Sequence, residues 1–140
     1  MGDDVDRLKD AYAALIDRRF DLIPRFFDPA AVYRSSGVFP GIKPVYEGHE
    51  EIEALLRLST EPWATLEAEV VRICERGERV VSEIRFHGIG AESGVEVSQS
   101  AAHVARFEDG LIVELAAFAS WDEALAAAEQ AAERARSPSS

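Results

Sequence analysis

The sequence predicts an α+β fold in which helices precede a sheet of long antiparallel strands, and three observations lead to this prediction. Apolar residues recur at helical spacing in segments up to Leu58 and again after Trp121. Between residues 65 and 120, four apolar runs follow one another, separated by turn sequences. The dipeptide Asp109-Gly110 joins the last two runs, and it favours a two-residue hairpin turn because both positions accept positive φ.

Three helices are predicted in the N-terminal part of the chain. The first covers residues 4–19, where three early aspartates favour the positive end of the helix dipole. The second covers residues 22–27, with Asp21 as its N-terminal cap, and a proline soon after its end prevents its extension. The third covers residues 49–58, with one apolar side that can face a sheet.

The remaining segments are predicted as strands, one loop and a closing helix. A short strand at residues 31–35 precedes an irregular loop at residues 37–48, which is rich in proline and glycine. An Ala-rich helix runs from Trp121 to about Arg136, so a single domain is expected over residues 1–136, with a flexible tail at residues 137–140. The four long strands are predicted at residues 65–75, 79–88, 95–107 and 111–120.

Composition and charge exclude several classes of function. The 140 residues suffice for one soluble domain, and no apolar stretch approaches the about 18 residues of a membrane span. The net charge of -11 repels nucleic-acid phosphates and anionic lipid, so we expect neither nucleic acid nor a membrane as partner. The single Cys74 has no intramolecular partner and the N-terminus does not follow a secretory pattern, which predicts a cytoplasmic location.

His103 is the residue from which the functional prediction starts. Counting in twos along residues 95–107 places it on one face of the predicted strand, and this face is apolar except for Gln99 and His103. An imidazole titrates near neutral pH and can hold, donate or accept a proton, so its presence on an apolar face indicates a pocket. The alternative is a hydrogen-bonded core or interface histidine.

The predicted hairpin registers give His103 its neighbours. The turn at Asp109-Gly110 is expected to place His103 opposite Ala116, with Glu114 diagonal to His103 on the same face. A turn at Glu92-Ser93 would set Ser82 directly opposite His103. The resulting surface is mostly apolar with a few polar groups, as in small-molecule pockets. Glu114 facing solvent at the sheet edge is the alternative.

Aromatic residues are candidates for the walls of this pocket. Their rings combine large apolar area with defined geometry, although each is equally suited to an ordinary core. In the predicted register, Phe118 lies opposite Ala101 on the His103 face. The candidates are Tyr12, Tyr33, Tyr46, Trp63, Phe86, Phe118 and Trp121.

The opposite face of the predicted sheet is mixed in character. It carries Arg85, His87, Ser98, Ser100 and Val104, and the sequence shows no obvious helix to cover it. Such a face commonly pairs with a second copy of itself, so we expect a homodimer through the sheet, with a solvated face as the alternative.

Metal and cofactor sites are not predicted. The chain has three histidines and one cysteine, and none of them shows the close spacing of a metal site. Gly88-Ile89-Gly90 is too short for a dinucleotide fingerprint and follows no βαβ pattern.

Five segments, together with the order of the elements, carry a family resemblance: residues 21–29, 45–50, 77–81, 93–97 and 107–112. They resemble the NTF2-like α+β cone fold, and specifically its SnoaL-like polyketide cyclase branch. The resemblance implies a bent antiparallel sheet with a mixed edge, wrapped by three N-terminal helices, and a further helix at the C-terminus. It also implies a deep pocket lined by the concave face of the sheet.

The function implied by this resemblance is broad, because the superfamily includes isomerases, cyclases, dehydratases, hydrolases and non-catalytic binders. Its steroid isomerases and aldol cyclases use a buried carboxylic acid as proton shuttle, but no aspartate falls on the pocket face predicted here. We therefore expect His103, oriented by Glu114, as acid or base and Tyr33 as hydrogen-bond donor. The expected activity is a cofactor-independent isomerase or lyase acting on an apolar carbonyl substrate; the alternatives are a ligand-binding or dimerisation domain.

Overall fold

A six-stranded sheet organises the chain in the computed structural model, which describes residues 3–35 and 41–136 and their side chains up to Arg134. Within these ranges the chain forms four α-helices, with a 3-10 turn at Phe20–Leu22 before the second. The elements are α1 (Asp3–Ile16), α2 (Ile23–Phe26), β1 (Phe27–Arg34), β2 (Val45–Glu47), α3 (Gly48–Thr60), β3 (Trp63–Arg76), β4 (Arg79–Gly90), β5 (Glu96–Glu108), β6 (Leu111–Phe118) and α4 (Trp121–Arg136).

The strands follow the order β2-β1-β6-β5-β4-β3, and all neighbours are antiparallel except β1 and β6. This confirms an α+β fold whose antiparallel sheet has a mixed edge. The predicted strand at residues 31–35 is only the second half of β1, which begins at Phe27. Pro29 lies inside β1 at an irregularity of the pairing between Phe27 and Val32, where its missing N–H disrupts no regular ladder.

The N-terminal helices differ in detail from the prediction. Helix α1 ends at Ile16 rather than at residue 19, and Arg18 has the left-handed φ of 56°, which helices do not continue through. Asp21 does not cap a helix; its carboxylate forms an exposed ion pair with Arg19 at 3.0 Å. Within residues 3–35 and 41–136, no helix is long and apolar enough to cross a membrane.

The register of β4 against β5 is as predicted. Ser82 pairs with His103 and Ile84 pairs with Ala101. The connection is longer than the predicted two-residue turn, because the last backbone hydrogen bond joins Gly90 N to Val95 O at 3.0 Å. A longer connection with an even number of residues keeps each side chain on the predicted face of the sheet. The predicted register of this pair of strands is therefore confirmed.

The β5–β6 hairpin begins as predicted and then departs from the predicted register. Asp109 and Gly110 both have positive φ, 53° and 80°, which confirms the tight turn. A bulge follows, because Arg106 pairs with Glu114 rather than with Val113. The predicted pairing of His103 with Ala116 is therefore wrong by one residue, and His103 pairs with Ala117.

This bulge has a clear energetic reason. It lets Ile112 and Leu115 both turn toward the core, where they are 1% and 8% exposed, although they are three residues apart. The same shift turns Glu114 to the other face, where its carboxylate meets Arg34 at 2.7 Å. An unbulged strand would instead bury a carboxylate beside His103, and unpaired buried charges are costly.

The core lies between α1, α3 and the sheet face that carries His103, called the inner face below. Apolar residues at helical spacing on α1 and α3 pack against alternate residues of the strands. Its fully buried members include Leu8, Ile52, Val80, Ile84, Ala105 and Ile112.

The opposite side, called the outer face, is partly covered by α4. Ala124 and Ala128 have no exposed surface and pack against Val81, Ala102 and Val104. The expectation that no helix covers this face is therefore wrong for this end of the sheet, because alanines let α4 approach the strands closely. Away from α4 the outer face is open to solvent. Four of its predicted residues have exposed side chains there: Arg85, His87, Ser98 and Ser100.

Candidate functional site

A cavity of about 330 Å³ lies between the inner face of the sheet and helices α1 and α3. Both helices present apolar side chains to it, and β4, β5 and β6 supply the opposite wall. The volume falls within the about 300–1,000 Å³ usual for ligand sites in proteins. Its apolar lining includes Leu8, Leu15, Leu55, Phe86, Ile112 and Leu115.

The cavity opens beside the β4–β5 hairpin. Val97 and Gln99 line it and are also exposed, with Val97 39% accessible. Trp63 closes against Gly88, where an added Cβ would lie 2.8 Å from the indole ring, so a glycine at this position is what lets the ring pack there. The Arg18 side chain holds the connection between α3 and β3, because it donates hydrogen bonds to the carbonyls of Thr60 and Trp63 at 2.9 and 2.6 Å.

Three side chains form a hydrogen-bonded chain at the inner end of the cavity. The Tyr12 hydroxyl lies 2.7 Å from His103 Nδ1 and 2.7 Å from Ser82 Oγ. The β4–β5 register places Ser82 beside His103, and α1 brings Tyr12 above both. Ser82 has no exposed surface and His103 is 7% exposed.

Two polar atoms at this inner end have no hydrogen-bond partner within the described residues: Nε2 of His103 and the hydroxyl of Tyr33. Because no fully buried side-chain nitrogen or oxygen in residues 3–35 and 41–134 lacks a partner, both atoms have access to the cavity that their side chains line. The hydroxyls of Ser59 and Thr60 also lie in the lining, but both donate to carbonyls of α3.

The lining is uncharged at neutral pH. It contains no Asp, Glu, Lys or Arg side chain among the described residues. Burial lowers the pKa of His103 to about 4, so its imidazole is neutral, and burial raises the pKa of Tyr33 to about 12. Burial also raises the pKa of Tyr12 above its ordinary value. A ligand with a full charge would therefore be desolvated here without a counter-charge.

Metal binding finds no support in the described residues. Nowhere in residues 3–35 and 41–134 do three or more His, Cys, Asp or Glu side chains come together as a metal site would require.

The cavity brings together most of the residues that the sequence singled out. His103 and Tyr33 lie at its inner end, and Ser82 lies one hydrogen bond further away, behind Tyr12. The other predicted residues found in the lining are Tyr12, Trp63, Phe86 and Gln99.

Four predicted residues lie elsewhere, and one of them, Trp121, packs against the outer cluster with the Arg72 guanidinium over its ring. Glu114 is on the outer face with Arg34, so it cannot orient His103. Tyr46 is buried behind Tyr33, with ring centroids 6.2 Å apart, and its hydroxyl accepts a hydrogen bond from the Lys43 amide. Phe118 pairs with Ala102 after the bulge, and it packs in the outer cluster under α4.

Sequence reasoning named Tyr12 but missed the other residues that the helices contribute to this site. Leu8, Tyr12 and Leu15 form one stripe of α1, and this spacing was a usable signal for their common direction. The contact between Tyr12 and His103 joins positions 91 residues apart, and no local pattern indicates it.

Comparison with known proteins agrees with this architecture. Residues 8–115 match the model of the SnoaL-like domain. The chain belongs to the SnoaL-like domain family. No protein of curated function matches this SnoaL-like chain.

Solved structures show the same fold for this SnoaL-like protein. An NTF2-like protein of unknown function from Burkholderia pseudomallei has a TM-score of 0.74 and 21% identity, covering 88% of this chain and 95% of its own. A candidate SnoaL-like polyketide cyclase from Jannaschia sp. CCS1 has a TM-score of 0.72 and 19% identity, covering 89% of this chain and 90% of its own. An LEH-like epoxide hydrolase from M. tuberculosis has a TM-score of 0.68 and 18% identity, covering 99% of this chain and 98% of its own. At these identities the likeness shows the NTF2-like cone fold.

Proposed function

We propose that this SnoaL-like protein binds a small, uncharged, largely apolar molecule in the cavity, with the polar atom of that molecule at His103. The observation that supports this most directly is the free Nε2 at the inner end of a largely apolar space of about 330 Å³. Apolar walls supply binding free energy, and a few polar groups orient the ligand.

The reaction that we propose is a cofactor-independent proton transfer of the isomerase or lyase type on a carbonyl substrate. A neutral imidazole can polarise a carbonyl by hydrogen bonding, which stabilises the negative charge that develops on the oxygen when a neighbouring carbon loses a proton. In this reaction a water molecule in the cavity takes the proton from that carbon and returns it to another carbon of the substrate, because the described lining contains no carboxylate base. The Tyr33 hydroxyl is a second group able to bind that oxygen. We would test this chemistry first, because a candidate SnoaL-like polyketide cyclase is among the solved structures with a similar fold.

The second candidate is a ligand-binding protein without catalysis. One observation favours it: burial lowers the pKa of His103 to about 4, and the described lining supplies no carboxylate as a stronger base. A pure scaffold domain is less well supported, because its aromatic side chains would fill the cavity that is open here.

Binding is tested with a pair of tryptophan substitutions on adjacent exposed residues of β5. Gln99 lines the mouth of the cavity, whereas Ser100 points to the outer face opposite Arg85. Native mass spectrometry with a panel of small aromatic ketones should show binding by wild type and Ser100→Trp, and reduced binding by Gln99→Trp. Equal binding by all three proteins would place the ligand outside the cavity.

Catalysis is tested by following the bound ketones for conversion over time. With a substrate in hand, His103→Gln should abolish turnover while the protein keeps its fold by circular dichroism. Tight binding by wild type with no conversion of any bound ketone would select the non-catalytic alternative. Unchanged turnover in His103→Gln would end the assignment of His103.

Two further features belong to this proposal. A cytoplasmic location is supported by the lone Cys74. A homodimer through the exposed part of the outer face is supported by strand surface that α4 leaves uncovered, including Ser98 and Ser100.

A further inference from the structure

The direction of the hydrogen bonds around Tyr12 decides which atom His103 offers to the cavity. The Tyr12 hydroxyl has one hydrogen and two neighbours, Ser82 Oγ and His103 Nδ1, each at 2.7 Å. A neutral imidazole carries its single hydrogen on Nδ1 or on Nε2. Two arrangements therefore have to be compared.

In the first arrangement both hydroxyl hydrogens have an acceptor, and the ring hydrogen faces the cavity. The Ser82 hydroxyl donates to the Tyr12 oxygen, and the Tyr12 hydroxyl donates to Nδ1 of His103. Nδ1 is then the unprotonated nitrogen, and the ring hydrogen sits on Nε2, which has access to the cavity.

In the second arrangement one buried hydrogen is left without an acceptor. If His103 Nδ1–H donates to Tyr12, either the Tyr12 hydroxyl donates to Ser82 and the Ser82 hydrogen needs an acceptor elsewhere, or Ser82 also donates to Tyr12 and the Tyr12 hydrogen needs one. Ser82 has no exposed surface, and its hydroxyl has no hydrogen-bond partner except Tyr12 among the described residues. Buried donors without acceptors are rare in folded proteins and costly, so the first arrangement is favoured.

A doubly protonated ring does not rescue the second arrangement. It would place a positive charge in a lining without Asp or Glu among the described residues, and burial opposes that charge by lowering the pKa of His103.

We infer that Ser82 and Tyr12 act as positioning residues that hold His103 in the Nε2–H tautomer, so that the cavity presents a hydrogen-bond donor and selects uncharged ligands with an acceptor oxygen, such as a ketone. The tautomer follows from the geometry and burial of these side chains, whereas the ligand class rests on the proposed binding function. Tyr33 strengthens the selection, because its hydroxyl is a second uncommitted group on the same face.

The tautomer is measured directly by long-range 1H–15N correlation spectra of the full chain labelled with 15N-histidine. His103 should show a pyridine-like Nδ1 and a pyrrole-like Nε2, with its signals identified by their loss in His103→Gln. Tyr12→Phe removes the donor to Nδ1, and should move both nitrogen shifts toward the values of a tautomer mixture. A matched control is Tyr46→Phe, which removes a buried tyrosine hydroxyl outside the lining and should leave both shifts unchanged.

A protonated Nδ1 in the wild-type protein overturns the inference, whatever the ligand measurements show. An unchanged spectrum in Tyr12→Phe overturns the positioning role of Tyr12. Neither result bears on whether the cavity binds apolar molecules.

Ligand selection is measured with three probes of one ring skeleton: α-tetralone, tetralin and 1-aminotetralin. The ketone should bind wild type about three- to tenfold more tightly than tetralin, as expected for one hydrogen bond. In His103→Phe, which keeps an aromatic ring, the preference for the ketone over tetralin should become smaller, because the Nε2–H donor is lost while the Tyr33 hydroxyl remains. The ammonium probe should bind wild type most weakly of the three. Equal wild-type affinity for ketone and hydrocarbon overturns the selection, whereas no binding of either overturns the proposed function and leaves the tautomer to the spectra.

Discussion

His103 and His87 lie on the same sheet, on opposite faces, and each lies beside a serine of the neighbouring strand. His103 is buried on the inner face, where Tyr12 links it to Ser82 and its Nε2 stays free. His87 is exposed on the outer face, where Nδ1 lies 2.6 Å from Ser98 and Nε2 lies 3.1 Å from Glu96. Similar residue types therefore give different sites, because His103 is buried and keeps a free nitrogen, whereas His87 is exposed and both of its nitrogens have partners.

The comparison shows why a histidine with a carboxylate partner is the less informative of the two. On the outer face water competes for every hydrogen bond, so the cluster around His87 contributes little free energy. On the inner face no water replaces a lost partner in the buried chain of three side chains, so each hydrogen bond is constrained in direction and costly to break.

The largest expected contrast between the faces is in stability. Ile84→Ala removes a fully buried side chain from the inner face, and should lower the free energy of unfolding by about 2–5 kcal/mol. Arg85→Ala, the next residue, removes only an exposed ion pair at 3.6 Å from Glu69, and should change it by less than about 0.5 kcal/mol. Urea unfolding measures both. Equal losses would mean that the faces are not packed as described.

The next effect is a dependence of stability on pH that originates in His103. Above pH 6.5 its imidazole is neutral in both states, but at lower pH the unfolded chain binds a proton while the folded one stays neutral down to about pH 4. Stability therefore decreases as pH falls through this window, by about 3 kcal/mol in total at about 1.4 kcal/mol per pH unit.

Urea unfolding between pH 7 and pH 4 isolates this contribution as the difference between wild type and His103→Gln. The variant should lose less stability on acidification than wild type, whereas His87→Gln, which leaves the buried imidazole in place, should lose as much as wild type. Parallel curves for wild type and His103→Gln would show that folding does not lower the pKa of His103.

A smaller effect is expected from single hydroxyl deletions on the two faces. Tyr12→Phe leaves Ser82 and His103 Nδ1 without their partner, and should lower the free energy of unfolding by about 1–3 kcal/mol. Ser98→Ala removes the corresponding partner of His87, but water replaces it, so the change should stay below about 0.5 kcal/mol. Thermal unfolding of both variants decides whether the inner hydrogen bonds are the stronger.

The smallest effect on stability is expected for a substitution in the outer face, where two copies of the chain are predicted to form a dimer. Ser100→Arg places a long charged side chain in the exposed part of this face, and should shift the protein from dimer toward monomer without lowering monomer stability. Sedimentation velocity measures the distribution of species. A wild-type protein that sediments as a monomer at all concentrations would contradict the predicted homodimer.

Much of the site was predictable because it depends on strand alternation. Val80, Ser82 and Ile84 share the face of His103 in the predicted and in the observed register, since the connection between β4 and β5 has an even number of residues. The spacing of Leu8, Tyr12 and Leu15 similarly indicated one face of α1. Residues 37–40, part of the predicted loop, and the tail at residues 137–140 lie outside the described residues.

Glu114 shows where alternation failed. A single extra residue in β6 reverses every side chain beyond it, and the tight turn at Asp109 and Gly110 gives no sign of it. The bulge is stable because the core gains both Ile112 and Leu115, a balance that depends on which surfaces the helices cover. The same reason explains Phe118, which follows Glu114 to the outer face.

The sequence by itself determined the α+β class, the order of the helices and of the strands other than β2, and the place of His103 on an apolar face, because these follow from residue spacing along short segments. Strand β2 (Val45–Glu47) lies in the segment predicted as an irregular loop. Only the tertiary structure decided that Tyr12 joins His103 to Ser82, that Glu114 points away, and that α4 covers Val104. The first and third of these features depend on contacts between distant segments, and the second depends on the one-residue bulge in β6. The packing of the whole core decides all three.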